Sequence, residues 1–156
     1  MQVDKKAVEI LGLLSSRGQV ISVAESCTGG LLANAFVSIS GASEVFVGGF
    51  LCYSAKSKIE VAGVLESSAT ENEAVNENCS REFAKSSLDK FASDYAISTT
   101  GFAEDGKEMY LSIATKNGDI KTFRKIFFGN RNEIRQAQVE FALSTFWEEL
   151  LKIGFN

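Results

Sequence analysis

The sequence contains no histidine. Within one chain that absence excludes Ser-His-Asp and Cys-His hydrolase mechanisms and His-ligated metals, and it leaves acid-base chemistry to lysine, tyrosine, aspartate and glutamate. Proline is absent too, so helix ends must be read from glycines and capping residues. The three cysteines, Cys27, Cys52 and Cys79, are odd in number and widely spaced, which fits neither a disulfide framework nor a zinc pattern. They read as reduced thiols, mostly core. No apolar run approaches the roughly 18 residues a membrane span needs, and Met1-Gln2-Val3-Asp4-Lys5-Lys6 lacks the basic-then-apolar order of a signal peptide. The expectation is a cytoplasmic protein with no membrane partner. Sixteen basic residues stand against 20 acidic ones, a formal charge of −4. With no basic block, a nucleic-acid partner is not expected, although a single anion pocket remains open.

What is present is an ordinary globular composition, 45% hydrophobic and 23% charged over 156 residues, sized for one domain, residues 1–156, with a sizeable core. Val3, Ala7, Ile10, Leu11 and Leu14 recur at helical spacing before Arg17-Gly18. Val20 to Ala24 is a β-branched apolar run, and helical spacing returns from Thr28 through Leu31, Leu32, Ala35 and Phe36 to Ser40-Gly41. Val45 to Tyr53 reads as a second strand loosened by Gly48-Gly49, and Ser54 to Ala62 as a short helix. Glu71 to Phe91 is one or two helices, and Tyr95 to Thr99 a compact strand. Glu108 to Thr115 and Ile120 to Phe128 form a hairpin across Lys116-Asn117-Gly118-Asp119. Asn130 caps a last helix through Leu151. Phe127, Phe128, Phe146 and Trp147 follow core spacing. The alternation predicts a single three-layer α/β/α domain around a mixed sheet, with candidate sites at the strand ends near Ser26, Tyr53 and Thr100.

Each of those ends carries chemistry. Ser26 closes an apolar strand and precedes Thr28-Gly29-Gly30 at a helix start, where free N–H groups hold an anion or oxyanion. Without histidine, a serine nucleophile needs another base, and a buried lysine becomes one because desolvation favours the neutral amine. Lys58 lies one turn beyond Ser54, so Tyr53 and Lys58 both reach the second strand end. On the residues alone a helical lysine is more commonly a solvated one, and a glycine pair is also a plain tight turn. Arg131 and Arg135, four apart at the start of the last helix, suit a phosphate or are simply solvated. Cys27 reads as a small buried residue.

These blocks resemble the CinA C-terminal domain family, the nicotinamide-nucleotide amidases. "VAESCTGGLLA" is similar to the family's AESCTGG signature, and "SGASEVFVGGFLCYSAKSKIEVAGV" to its YS…K…GV block. "SDYAISTTG" and "FFGNRNEIRQAQVEFAL" resemble two further blocks, in order, over nearly the whole chain. The resemblance implies a Ser-Lys amidohydrolase that converts nicotinamide mononucleotide to the acid and ammonia. Ser26 would be the nucleophile, Lys58 the base, and Tyr53 an assistant to the proton transfer or an orienter of Lys58. Thr28, Gly29, Gly30 and Thr100 would line the site, while Arg131 and Arg135 would meet the substrate's phosphate. It implies no metal or cofactor, a small-molecule nucleotide as partner, and a homo-oligomer. The chain departs from the family at "TGFAEDGKEMYLSIA", which is shorter than the usual G-x-A-G-P-x-G-G loop and places Glu104-Asp105 where that loop opens. Asn76 stands where members often have serine. Two other readings therefore stay open: Ser-Lys chemistry on a different amide or ester, and a catalytically impaired binding or assembly module.

Overall fold

The computed structural model describes residues 4–154; Val3, expected at the head of the first helix, lies outside them. Helix α1 (Lys5–Arg17) starts where Asp4 accepts the Lys6 N–H at 2.7 Å and ends at Gly18, whose left-handed φ of 62° closes the last turn. Strand β1 (Ile21–Glu25) leads to α2 (Leu31–Val37), β2 (Phe46–Leu51), α3 (Ala55–Glu60) and α4 (Glu66–Thr70). Then follow α5 (Glu77–Lys90), β3 (Tyr95–Gly101), β4 (Lys107–Thr115), β5 (Ile120–Phe127) and α6 (Arg131–Ile153). Short 3-10 turns cover Ala42–Glu44 and Glu71–Ala74.

The five strands form one mixed sheet in the order β2-β1-β3-β4-β5. Strands β2 and β3 run parallel to β1 on either side, whereas β4 and β5 pair antiparallel as a hairpin. Central strand β1 is buried at every residue, as expected of a parallel strand covered on both faces. Helices α1, α2 and α6 cover one face through Ile10, Leu14, Leu32, Phe36, Ile134 and Phe146. Helices α3, α4 and α5 cover the other. This is the three-layer α/β/α arrangement expected from the alternation.

Two packing devices hold the layers close. A Cβ at Gly49 would fall 2.1 Å from the Val23 carbonyl oxygen, so only glycine lets β2 approach β1 in this register. Helix α5 is polar in sequence yet buries Ser80 and Ser87. Their hydroxyls meet Ser112 at 2.7 Å and Ser22 at 2.9 Å, so small hydrogen-bonded side chains complete the inward face that Cys79, Phe83, Ala84 and Leu88 begin. Asn130 and Glu133 form a reciprocal capping box at the start of α6.

The differences from the sequence reading are local. Helix α2 begins at Leu31, not Thr28, because Gly29 and Gly30 take left-handed φ values of 59° and 94°. Helix α4 has too short a pattern to show in the sequence. Phe128 is 75% exposed and does not join the core, since it follows the last paired residue of β5.

Candidate active site

Strand β1 connects through α2 to β2 on one side, and β2 returns through α3 to α5 to β3 on the other. The chain order therefore reverses between β1 and β3, and the crevice beyond their C-terminal ends is the place where α/β sheets bind ligands. Ser26 follows the end of β1, Tyr53 lies just past β2, and Thr100 is the penultimate residue of β3. All three line one cleft of about 230 Å³ with Cys27, Lys58, Glu73, Glu104 and Arg131.

Lys58 reaches this cleft from α3. Ser54 caps α3 by accepting the Ser57 N–H, and Lys58 sits one turn later, 2% exposed. Its ammonium nitrogen Nζ lies 2.8 Å from Ser26 Oγ and donates to the Tyr53 carbonyl at 3.2 Å. No carboxylate pairs with it among the described residues; the nearest ring is Phe83, with Nζ 6.0 Å from its centroid. Burial pushes the Lys58 amine below its ordinary value, opposed only by the charge the nearby thiols would carry if ionised. Those thiols are themselves held protonated: burial raises Cys27 to about 12 and Cys79 to about 11, and raises Cys52 as well. Near neutral pH they offer Lys58 no counter-charge. A hydroxyl within hydrogen-bond reach of an amine pushed toward its neutral form has the geometry that general-base activation of a nucleophile requires.

The turn after Ser26 is built around a residue the sequence reading passed over. Glu25 is 1% exposed, and its carboxylate accepts from Thr28 Oγ1 at 2.6 Å and from the Leu32 and Ala33 amides at 2.8 and 3.0 Å. The α2 N–H groups expected to face an anion are thus already occupied by a carboxylate. The signal was available: an acidic residue ending an apolar strand must find donors inside, and a helix start supplies them. Thr28 Oγ1 also lies 2.8 Å from Thr99 Oγ1, and the Ser26 amide donates to the Thr99 carbonyl at 3.1 Å. The Cys27 and Thr28 amides have no backbone acceptor among the described residues.

The remaining sequence candidates divide into two groups. Thr28, Gly29, Gly30 and Arg135 lie behind the cleft rather than in its lining. Arg135 donates to the Cys27 and Thr28 carbonyls at 3.2 and 3.1 Å, and a Cβ on Gly29 would fall 2.7 Å from its guanidinium. Arg131 is in the lining and donates to the Tyr53 hydroxyl at 2.7 Å. Thr100 donates to the Ala74 carbonyl at 2.9 Å. Glu104 lines the cleft with its carboxylate 2.9 Å from the Lys107 ammonium, while Asp105 accepts the Gly129 amide at 2.8 Å. Among the described residues no group of His, Cys, Asp or Glu could hold a metal ion, and no helix is long and apolar enough to cross a membrane.

Comparison with known proteins agrees with the fold and the motif. The chain is 35% identical over 147 residues to the nicotinamide-nucleotide amidohydrolase PncC of Escherichia coli strain K12, covering 89% of each. It is 36% identical over 159 residues to a competence-damage inducible protein of Caldicellulosiruptor bescii, covering 96% of this chain but 38% of that longer protein. The crystal structure of competence damage-inducible protein A (ComA) from Klebsiella pneumoniae subsp. pneumoniae MGH 78578 superimposes with a TM-score of 0.90 at 26% identity, over 94% of this chain and 96% of that one. The model of the CinA C-terminal domain matches residues 3–150, and the chain belongs to that family.

Proposed function

We propose that the chain is an amidohydrolase that converts nicotinamide mononucleotide to nicotinate mononucleotide and ammonia through Ser26 and Lys58. The observation that carries this reading is the 2.8 Å approach of a buried Lys58 amine, unpaired with any carboxylate among the described residues, to the Ser26 hydroxyl. Relatives named nicotinamide-nucleotide amidohydrolase support the choice of substrate.

Neutral Lys58 takes the Ser26 proton as Oγ bonds to the carboxamide carbon, and the carbonyl π electrons move to oxygen. The Cys27 and Thr28 amides, which have no backbone acceptor among the described residues, are the donors assigned to that oxyanion. Collapse re-forms the carbonyl and breaks the C–N bond, and the Lys58 ammonium returns its proton to the leaving nitrogen, releasing ammonia. Water then attacks the acyl-serine, its proton passing to Lys58 and onward to Ser26 as the acid departs. Tyr53 orients Lys58 through its backbone carbonyl and Arg131 through its hydroxyl. Arg131 meets the phosphate, Thr100 shapes the cleft floor, and Arg135 with Thr28, Gly29 and Gly30 holds the nucleophile's turn.

Incubation of the purified protein with nicotinamide mononucleotide tests this by ammonia release. Turnover that disappears in Ser26→Ala and in Lys58→Ala supports it, and an inert wild-type protein overturns it. The shorter loop at Gly101–Lys107 favours a second reading, the same Ser-Lys chemistry on another amide or ester. Covalent labelling of Ser26 by a fluorophosphonate, in a protein inert toward nicotinamide mononucleotide, would identify that case.

A further inference from the structure

The cleft is bipolar. Arg131 enters it from α6, on one face of the sheet, whereas Glu73 enters from the segment before α5, on the other. The remaining charges in the lining are committed or spent in chemistry: Glu104 is paired with Lys107 at 2.9 Å, and Lys58 is directed at Ser26. Glu73 has no hydrogen bond and no ion pair among the described residues, although the Lys107 ammonium feels its charge.

Its position is also set by an unusual backbone. Asn72, Glu73 and Ala74 take consecutive left-handed φ values of 48°, 55° and 69°. For side chains larger than glycine each such residue costs about 1 kcal/mol or more. Three hydrogen bonds pin the segment: Asn72 Nδ2 to the Val75 carbonyl at 2.7 Å, Asn76 Nδ2 to the Glu71 carbonyl at 2.9 Å, and Thr100 Oγ1 to the Ala74 carbonyl at 2.9 Å. The last of these ties the turn to β3 at the cleft floor and keeps the exposed Glu73 in the cleft lining, with no hydrogen bond or ion pair among the described residues to commit its carboxylate.

A nicotinamide ribotide has the complementary charge order. Its carboxamide hangs from a pyridinium ring bearing a full positive charge, and its phosphate lies beyond the ribose. We propose that Glu73 is a specificity-determining residue that selects amides attached to a cationic ring, with Arg131 taking the anionic end of the same substrate. The inference rests on the amidase reading for its substrate class. It extends that reading by naming the ring charge, rather than the ring shape, as what the cleft recognises.

The test compares nicotinamide mononucleotide with its 1,4-dihydro form, which keeps the carboxamide and phosphate but loses the ring charge. Dissociation constants are measured on Ser26→Ala protein, which holds ligand without turnover. The oxidised form is expected to bind about tenfold tighter than the dihydro form, with a preference that weakens as salt is raised. Glu73→Gln in that background should reduce the preference to about twofold by weakening the oxidised form alone. Glu73→Gly should do the same while folding at least as stably, because glycine suits the φ at this position. An undiminished preference in both variants overturns the proposal, as does the absence of any preference in the parent. Ammonia release by the unmutated protein is scored separately. A Glu73-dependent preference in a protein that releases no ammonia sinks the amidase reading alone, and turnover with a preference indifferent to Glu73 sinks this inference alone.

Discussion

Lys58 Nζ and Ser26 Oγ, 32 residues apart in the chain, meet at 2.8 Å in a cleft where no carboxylate among the described residues pairs with the lysine. A buried ammonium without a counter-ion is costly to the fold, and the cost is lowest for the neutral amine that general-base chemistry needs.

In the proposed mechanism Ser26 and Lys58 act as one unit, so their removal is not additive. Ser26→Ala and Lys58→Ala are each expected to lower kcat by about 10³-fold or more, and the double variant to be no worse than either single one. Single-turnover ammonia release checks this; a double variant slower by the product of the two single losses would mean the residues act independently.

Because burial holds the Lys58 amine below 10.5, kcat/KM should climb with pH along a limb centred below that value, and the limb should vanish in Lys58→Met. The stability sign follows from the same shift. Between the depressed value and 10.5 the unfolded chain binds more protons than the folded one, so unfolding free energy rises with pH in that window. The thiols act oppositely above their ordinary 9.0, since the folded state keeps their protons to about 12 at Cys27 and about 11 at Cys79. The Lys58 slope is therefore read below pH 9.0. Lys58→Met should flatten it and leave the inactive variant more stable than wild type at pH 7. Denaturant titrations at several pH values measure both effects.

The two arginines are four residues apart but have different partners, the Tyr53 hydroxyl for Arg131 and the Cys27 and Thr28 carbonyls for Arg135. Arg131→Ala should raise KM for a phosphorylated substrate by about tenfold, the worth of a charge-assisted contact. Tyr53→Phe, which frees Arg131 from its hydroxyl partner but leaves the carbonyl that meets Lys58, should raise KM by about fivefold with a smaller effect on kcat. Arg135→Ala removes the donors to the Cys27 and Thr28 carbonyls. It should cost about 1 to 3 kcal/mol of stability and act mainly on kcat. Steady-state kinetics beside thermal melts separate the three; a KM effect confined to Arg135→Ala would reverse the assignment.

Gly49→Ala should destabilise the fold by about 3 kcal/mol, because the new methyl meets the Val23 carbonyl oxygen at 2.1 Å and β2 must move off β1. Activity should fall with it, since Tyr53 and the start of α3 follow β2 directly. A melt within a degree of wild type would show that the two strands have slack.

The fold was legible wherever burial requires a repeating apolar pattern. Strands β1, β3 and the β4–β5 hairpin, and the long α6 behind Asn130, stand within a few residues of where periodicity and capping chemistry place them. Helix α4 was not legible, being only five residues long. Part of the inward face of α5 was hidden for another reason: Ser80 and Ser87 join the buried Phe83, Ala84 and Leu88 through hydrogen bonds to serines of the sheet, and a serine looks the same in sequence whether it faces water or Ser112. Phe128 misled in the opposite direction, as an aromatic beside a strand that pairs one residue too soon to bury it.

At the site, the sequence by itself determined the cast. Without histidine, any serine nucleophile needs another base, and Ser26 and Lys58 stand in the motifs that mark the family. Tertiary structure decided which candidates share one space. The reversal of chain order between β1 and β3 brings Ser26, Tyr53, Thr100 and Arg131 to one cleft. It turns Arg135 and the glycine pair to the back of the turn after Ser26, and gives the α2 N–H groups to Glu25 rather than to a ligand. Glu73 is the clearest case of the division: in the sequence it is one of several acidic residues before a helix, and only the pinned left-handed turn brings its charge to the cleft. Composition and local pattern specify residue types and faces, whereas proximity across dozens of residues exists only once the sheet has set which strand ends are neighbours.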